Sequence, residues 1–302
     1  MKNVKVIVPT LGLILIVGWI YYSVDIRNVI IKIKSVDNTF FVPALGLSII
    51  QIFMSSKRYF FFVCASDFKV TYDKCFHAVL SAFALNSIIP GKGGDLVKAV
   101  TISENKKQLT HLTVVTFIER GCDLSVLVLL SICGSLVLGS NHWKLTSTIF
   151  ISIFLCVILL VYFFHNNPSI RKKVGDISEI FLSFKKNIRY FLVALSFSFF
   201  FWQINLVIIW LLLHSIGLSI SILKVVALWP IAIFAGILPI SVSGFGTRDL
   251  TFALSIGDDF KKESIYAATF LYTFLVYWFL SIISAVWLFI KNTMKPKSLE
   301  IV

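Results

Sequence analysis

Long apolar runs alternate with short polar segments along almost the whole chain. A helix needs roughly 20 apolar residues to cross a bilayer, with a lower limit near 17. The runs that approach or exceed this length are 5–22, 39–56, 110–138, 148–165, 190–213 and 265–290. The pattern therefore predicts an all-α integral membrane protein, a polytopic helical bundle with about six crossings.

Two shorter apolar runs, 76–89 and 223–238, stop at Pro90 and Pro239. Each is followed by a glycine-rich, charged stretch, "PGKGGDLVK" or "PISVSGFGTRD". Proline has no amide donor and glycine favours non-helical backbone, so we expect helix breaks at both prolines. Broken backbone at membrane depth needs protein or a water-filled cavity to satisfy its polar groups. We therefore predict two re-entrant helical hairpins, 76–103 (the first hairpin) and 223–256 (the second hairpin); the alternative is two ordinary crossings that end in polar loops.

The order of these segments repeats. Crossing 39–56, the first hairpin and crossing 110–138 form one unit, and crossing 190–213, the second hairpin and crossing 265–290 form another in the opposite orientation. The sequence thus predicts one transmembrane domain, 1–302, containing an inverted repeat of about 39–138 and 190–290. Helix interruptions at corresponding positions of two halves point to the binding site of a transporter.

The charge balance fits a membrane protein. The chain has 28 Lys and Arg against 15 Asp and Glu, and 58% of its residues are hydrophobic. In a membrane protein such an excess marks cytoplasmic loops, and we expect no nucleic-acid partner. With both hairpins re-entrant, most loop cations, among them Lys57, Arg58 and those from Arg171 to Arg189, fall on one side. We predict that this side is cytoplasmic and that both termini lie there.

Eight charged residues lie beside the two breaks, within or next to apolar segments. A charge at the bilayer centre costs roughly 2.5 to 3.5 kcal/mol even on a lenient scale, so such residues usually pair and face a pathway. In "TFIERGCDLSV", helical spacing of three and four residues brings Glu119, Arg120 and Asp123 together. We interpret Glu119 and Asp123 as a structural ion network, and Arg120 as either part of that network or a phosphate ligand.

The glycine stretches suggest a binding site. If helices restart after Gly94 and Gly246, their free amides and positive ends would make anion sites, with Lys92 and Arg248 beside them. We predict that a lipid headgroup binds at Lys92, Gly93, Gly94, Arg120, Ser243, Gly244, Gly246 and Arg248. The supporting ion network is Asp95, Lys98, Glu119, Asp123 and Asp249. The alternative is a pair of glycine turns whose cations extend to the membrane interface.

Enzyme chemistry has little support in the sequence. There is no CxxC pair, no Cys/His cluster at metal-ligand spacing, no Walker A loop and no GxSxG elbow. We expect no metal, no cofactor and no catalytic site. The alternative is that Asp95 and Asp249 form an acid/base pair of an intramembrane transferase.

Three stretches resemble the motifs of the lysylphosphatidylglycerol synthase transmembrane domain family, also called the flippase-like domain family. They are "NSIIPGKGGDLVKA", "VVTFIERGCDLSVLV" and "LPISVSGFGTRDLTFA", in family order. The resemblance implies a polytopic helical domain that translocates aminoacylated phospholipid in multidomain members, while other members are tied to polyprenyl-linked glycans. The soluble synthetase domain of the larger members has no room after residue 290. Aminoacyl transfer is therefore not expected.

This sequence departs from the family pattern at five positions. Aspartate stands at 95 and 249 where glutamate is commoner, lysine at 92 and 98 where arginine is commoner, and Ser243 interrupts a glycine pair. These changes preserve the sign of the charge but alter its reach and its bidentate geometry. The identity of the lipid therefore cannot be carried over.

From residues and resemblance together we expect a flippase or transporter of a prokaryotic cytoplasmic membrane. It would bind an anionic phospholipid or a polyprenyl-phosphate-linked lipid between the two hairpins. One alternative is a non-transporting accessory that presents such a lipid to a glycosyltransferase or glycolipid-pathway partner, and another is the intramembrane transferase. The sequence does not indicate an oligomeric state.

Overall fold

A computed structural model of the chain describes residues 26–87, 89–138, 179–237, 241, 243–257 and 260–294. For Pro90, Gly91 and Lys92 it describes the backbone alone. The predicted crossings 5–22 and 148–165, and the predicted break at Pro239, lie outside the described residues.

The described part of the chain is helical and contains no β-strand. Its helices, in order, are α1 (Ile26–Lys34), α2 (Asn38–Ala65), α3 (Tyr72–Asn86), a 3₁₀-helix (Pro90–Asp95), α4 (Leu96–Ile102), α5 (Lys106–Leu138), α6 (179–186), α7 (Ile188–Ser215), α8 (Ile222–Ile237), α9 (Thr247–Ile256), α10 (Lys262–Thr273), a π-helix (Phe274–Phe279) and α11 (Leu280–Met294).

Four stretches of these helices are long and apolar enough to cross a membrane: Asn38–Ala65, Lys106–Val137, Ile188–Ser215 and Lys262–Lys291. Large apolar side chains such as Phe117 (62% exposed) and Phe289 (70% exposed) point outward, as suits a surface that faces lipid. The structure confirms an all-α integral membrane protein. The number of crossings stays a prediction.

Local capping sets where some helices begin. The Asp37 carboxylate accepts a hydrogen bond of 2.8 Å from the Thr39 backbone N–H, which starts α2 at Asn38. The same bond favours the ionised carboxylate and lowers the pKa of Asp37. At the start of α3, the Thr71 hydroxyl accepts from the Lys74 N–H at 3.5 Å.

Matching helices recur in the two halves of the chain. Helices α2 and α7 are each 28 residues long, starting at residues 38 and 188 and ending at 65 and 215. Helices α3 and α8 start at residues 72 and 222, and each is followed by a break and a second, shorter helix. The described helices therefore follow one order twice.

The paired helices α2 and α7 run antiparallel. At one end the Asp37 N–H donates to the Ser215 carbonyl at 2.9 Å, and at the other the Asn187 side-chain amide donates to the Ala65 carbonyl at 3.4 Å. The start of each helix thus lies at the end of the other, as expected for two halves that run in opposite directions. Which side of the membrane each end faces stays a prediction.

Each hairpin packs on the opposite half. Helix α3 contacts both α4 and α11, and α8 contacts both α9 and α5. Ser281 of α11 donates to the Ala84 carbonyl of α3 at 2.9 Å, and Ser131 of α5 donates to the Ala227 carbonyl of α8 at 2.7 Å. Small residues that allow close helix contact and serine hydroxyls that bond across it are typical of membrane interfaces. Re-entry of the hairpins into the membrane stays a prediction.

The first break contains a short 3₁₀-helix rather than a free helix start after Gly94. Helix α3 ends at Asn86, and Pro90 begins a 3₁₀-helix that leads directly into α4. Proline fits this position because its fixed φ suits a first helical turn, where its missing N–H is not needed. Gly94 is required here because a Cβ would lie 2.9 Å from the Asn86 backbone nitrogen.

Candidate functional site

Six charged residues of α2, the 3₁₀-helix, α4 and α5 lie together: Arg58, Asp95, Lys98, Glu119, Arg120 and Asp123. We call this set the charged cluster. Five of its members are buried, and the Arg120 side chain is 26% exposed. With three cations and three carboxylates, the charged cluster is formally neutral.

Arg58 is the member that sequence reasoning missed. The sequence predicts that it lies in a cytoplasmic loop. In the structure α2 extends nine residues beyond the predicted crossing 39–56, and Arg58 lies inside this helix at 1% exposure. Its Nη2 lies 2.9 Å from Glu119 Oε1 and its Nη1 lies 2.9 Å from Asp123 Oδ1. The Phe201 ring packs 4.6 Å from its guanidinium carbon. Arg58 therefore compensates two buried carboxylates at once.

The other two cations complete the charged cluster. Lys98 Nζ lies 2.5 Å from Glu119 Oε2 and 3.8 Å from Asp95 Oδ1. Arg120 reaches Asp95 Oδ2 through Nη2 at 2.6 Å and Asp123 Oδ2 through Nη1 at 3.1 Å. Each carboxylate contacts two cations, so every charge has a partner.

A narrow cavity of about 50 Å³ lies against the charged cluster, and we call it the central cavity. The first half contributes Arg58, Asp95, Lys98 and Arg120 to its wall. The second half contributes Asn205, Tyr272 and Tyr277 among others. The Tyr272 hydroxyl donates to Asn205 Oδ1 at 2.8 Å, which fixes that wall. A cavity of this size has room for only a few water molecules.

Arg248 lies behind the aromatic wall of the central cavity. Its guanidinium carbon lies 4.8 Å from the Tyr272 ring centre and 5.2 Å from that of Tyr277. It donates to Thr273 Oγ1, to the Ser243 carbonyl at 3.3 Å and to Asp249 Oδ1 at 3.5 Å. At 1% exposure, Arg248 in this conformation binds the protein's own groups. Its predicted contact with a lipid headgroup stays a prediction.

A side chain of α9 itself caps the start of this helix. Asp249 Oδ2 accepts from the Gly246 N–H at 2.9 Å, so a carboxylate of the chain occupies the position expected for an anionic ligand. Ser243, Gly244 and Gly246 have φ angles of 56°, 72° and 86°, all in the left-handed region. Ser243 is thus strained at a position that suits glycine, because a Cβ disfavours this backbone.

The two breaks touch. Ser243 Oγ donates to the Ser87 carbonyl at 3.2 Å, and the hydroxyls of Ser87 and Ser281 lie 2.8 Å apart. The structure therefore brings Asp95, Lys98, Glu119, Arg120 and Asp123 together and places Arg248 and Asp249 in a separate group behind the tyrosines. The Lys92 side chain lies outside what the structure describes, so a headgroup shared by Lys92 and Arg248 stays a prediction.

No group of three His, Cys, Asp or Glu residues that could hold a metal occurs in the described ranges. The chemistry that the site offers is electrostatic: guanidinium and ammonium donors beside a small cavity, with tyrosines on the opposite wall. Such donors suit a phosphate or a carboxylate.

Comparisons with known proteins bear on this arrangement. The family described as "Lysylphosphatidylglycerol synthase TM region" matches residues 6–284. The chain is also similar to UPF0104 membrane protein MJ1595 of Methanocaldococcus jannaschii. The two are 25% identical over 312 residues, which covers 91% of this chain and 92% of that protein.

Proposed function

Since the chain belongs to the lysylphosphatidylglycerol synthase TM region family, we propose that it is a lipid flippase or transporter that binds an anionic headgroup in its central cavity. The headgroup would belong to a phospholipid or to a polyprenyl-phosphate-linked lipid. The protein would act in a prokaryotic cytoplasmic membrane.

The observation that carries this proposal is the position of the charged cluster. Arg58, Lys98 and Arg120 converge on a cavity between two antiparallel halves, next to the contact between the two broken hairpins. Ionisable residues inside a membrane domain are costly, and they usually mark a transport pathway. Binding at the interface between repeats, beside discontinuous helices, is typical of secondary transporters.

The cations suit an anionic headgroup through geometry rather than through excess charge. The charged cluster is neutral, so a phosphate must exchange partners with a carboxylate instead of filling an unused positive site. Guanidinium groups favour this because their planar donors match two phosphate oxygens. Arg120, the most exposed of the three cations, is the best placed to make the exchange.

The central cavity must widen to admit a headgroup, because about 50 Å³ holds only a few waters. We propose that the two halves rock against each other along the α2–α7 contact and expose the cavity to each side in turn. The structure then represents a closed conformation between the two open ones.

We propose no reaction at the two aspartates. Asp95 is paired with Arg120 and Lys98, and Asp249 caps the Gly246 amide beside Arg248. Each carboxylate is thus held by donors in this conformation, whereas a general acid or base must reach a substrate proton.

A liposome assay tests the proposed function. Purified protein should accelerate the transfer of a fluorescent anionic lipid between leaflets, measured by bleaching the outer leaflet with an impermeant reductant. Lys74→Gln, at an exposed position, should behave as the parent does. The proposal would be rejected if the protein accelerated the transfer of none of three lipids, relative to protein-free liposomes: phosphatidylglycerol, phosphatidic acid and a polyprenyl phosphate. If those lipids nevertheless bind, the result would favour the accessory that serves a glycosyltransferase.

A further inference from the structure

A second pocket lies on the other side of Arg120 from the central cavity. This lateral pocket has a volume of about 240 Å³, and apolar side chains, including Phe117, Leu124 and Trp202, form most of its lining. Phe117 is 62% exposed and Leu96, which also lines the pocket, is 41% exposed, so the pocket opens on the outer surface of the helices. An acyl chain fits such a pocket in a protein surrounded by lipid.

Arg120 and Asp95 line both cavities. Arg120 Nη2 and Asp95 Oδ2 are 2.6 Å apart, so their ion pair forms part of the partition between the lateral pocket and the central cavity. A headgroup that passes from one cavity to the other has to meet this pair.

On one edge of the Arg120 guanidinium, only one of the two donor nitrogens has a partner in the described part of the chain. Nη1 binds Asp123 and Nη2 binds Asp95, while the buried Nε has no hydrogen-bond partner among the described residues. A phosphate normally binds such an edge through two parallel N–H···O bonds, one from Nε and one from Nη2. Asp95 Oδ2 lies 2.6 Å from Nη2, so the Asp95 carboxylate competes with a phosphate for this edge of Arg120.

Asp95 has other partners within reach. The Asn86 side-chain amide already donates to Asp95 Oδ1 at 3.1 Å, and Lys98 Nζ lies 3.8 Å from the same oxygen. A small rotation of the carboxylate away from Arg120 would shorten the contact with Lys98. Arg120 and Asp95 would then both stay paired during the exchange, which avoids an uncompensated buried charge.

Resting on the proposed transport function, we infer that the Arg120–Asp95 ion pair is a gate between the two cavities. It opens when the phosphate of an anionic lipid, whose acyl chain lies in the lateral pocket, replaces Asp95 on Arg120. The apolar pocket receives the tail of the lipid and the guanidinium edge receives its headgroup.

Trp202 provides a direct readout because it lines the lateral pocket at 2% exposure. Bromine atoms on an acyl chain quench tryptophan only at short range. The protein would be reconstituted in phosphatidylcholine vesicles that contain increasing amounts of acyl-brominated phosphatidylglycerol. The difference in quenching between the parent and a Trp202→Phe variant isolates the signal of this one tryptophan.

The Asp95→Asn substitution tests the gate itself. Without the competing charge on Arg120, Trp202 should reach half-maximal quenching at about a tenfold lower mole fraction of brominated phosphatidylglycerol, as expected for one charge-assisted bond. Titration with brominated phosphatidylcholine should show no such shift. The matched control is Asp73→Asn, which removes an exposed carboxylate that does not line the lateral pocket.

Two results would overturn the inference. One is an Asp95→Asn titration equal to or weaker than that of the parent, and the other is an absence of Trp202 quenching by either lipid.

If Asp95→Asn does not fold, Arg120→Lys provides the test, since it keeps the charge and loses the two-donor edge. The preference for phosphatidylglycerol over phosphatidylcholine should then disappear, and its persistence would contradict the gate. If the Trp202 titrations give the expected shift but the protein moves no lipid between leaflets, the gate stands and only the transport function is rejected.

Discussion

At the scale of single residues, we expect Arg58 to be important for the stability of the charged cluster. It is the cation that bonds both Glu119 and Asp123, two carboxylates that are buried almost completely. Removing one partner from a buried ionic network leaves the others uncompensated. The charged cluster should therefore be more sensitive to the loss of Arg58 than to the loss of a surface charge.

We expect Arg58→Gln to destabilise the protein by about 3 to 5 kcal/mol, because two buried carboxylates lose their shared partner. Thermal unfolding in detergent, followed by size-exclusion chromatography, measures the loss of folded protein. Lys57→Gln is the matched control, since Lys57 is the adjacent residue of α2 and is exposed. Equal unfolding temperatures for the two variants would contradict this role of Arg58.

Sequence reasoning recovered part of the charged cluster. Spacing of three and four residues in α5 predicted that Glu119, Arg120 and Asp123 share a face. It missed Arg58 because "KR" at the end of an apolar run is typical of a cytoplasmic loop. A signal was nevertheless present: Ser48, Gln51, Ser55 and Arg58 follow one another at helical spacing, and all four are buried. Adjacent helical residues point about 100° apart, so Lys57 can face outward while Arg58 faces inward.

At the scale of elements, the two hairpins correspond more closely than the prolines suggested. Asp95 follows Pro90 by five residues and Asp249 follows Pro239 by ten, so the two aspartates do not match when the prolines are aligned. Counted from the helix ends at Ile102 and Ile256, however, each aspartate lies seven residues earlier. The two breaks differ in conformation: one contains a 3₁₀-helix, and the other has left-handed backbone at Ser243, Gly244 and Gly246. Sequence alone could not show this because the conformation of a break depends on its tertiary contacts.

We expect alanine substitutions at two glycines of α5 to change the stability of the protein in opposite directions. A Cβ on Gly134 would lie 2.7 Å from the Ala227 backbone nitrogen of α8, whereas a Cβ on Gly121 would meet nothing within 4 Å. We expect Gly134→Ala to destabilise the α5–α8 contact by roughly 1 to 3 kcal/mol. Gly121→Ala should stabilise α5 by roughly 0.5 to 1 kcal/mol. Unfolding temperatures measured in one detergent would show the two shifts, and a shift of the same sign for both would argue against close helix packing at Gly134.

At the scale of the whole molecule, the described helices follow one order twice, and we predict that the two halves form an inverted repeat. The antiparallel α2 and α7 and the reciprocal bonds at their ends support this relation. The apolar pattern predicted the existence of these helices but not their ends, since α2 continues to Ala65 through the aromatic and charged stretch "SSKRYFFFVCA". Hydropathy reports where a helix meets lipid, whereas helix length is set by capping and packing.

Reversal of the halves predicts where loop residues face. Residues 104–110 and 166–189 should lie on the cytoplasmic side, and residues 257–264 on the external side. Cysteines introduced at Lys107 and Lys262, both exposed near the start of a long helix, should react with an impermeant maleimide from opposite sides of the membrane. The five native cysteines would first be replaced by serine or alanine. Labelling of both positions from one side would rule out the inverted arrangement.

The neutrality of the charged cluster has an electrical consequence. Three cations balance three carboxylates, so under the proposed function a singly charged lipid phosphate that joined them would carry an unmatched negative charge. A unit charge that crosses the full membrane potential changes in energy by about 2.3 kcal/mol per 100 mV. An interior-negative potential should therefore drive an anionic lipid outward, and valinomycin with potassium gradients of either sign should reverse its distribution in proteoliposomes. If the distribution of the lipid between leaflets did not respond to the potassium gradient, a cation would have to move together with the lipid. The identity of that cation would then be the next measurement.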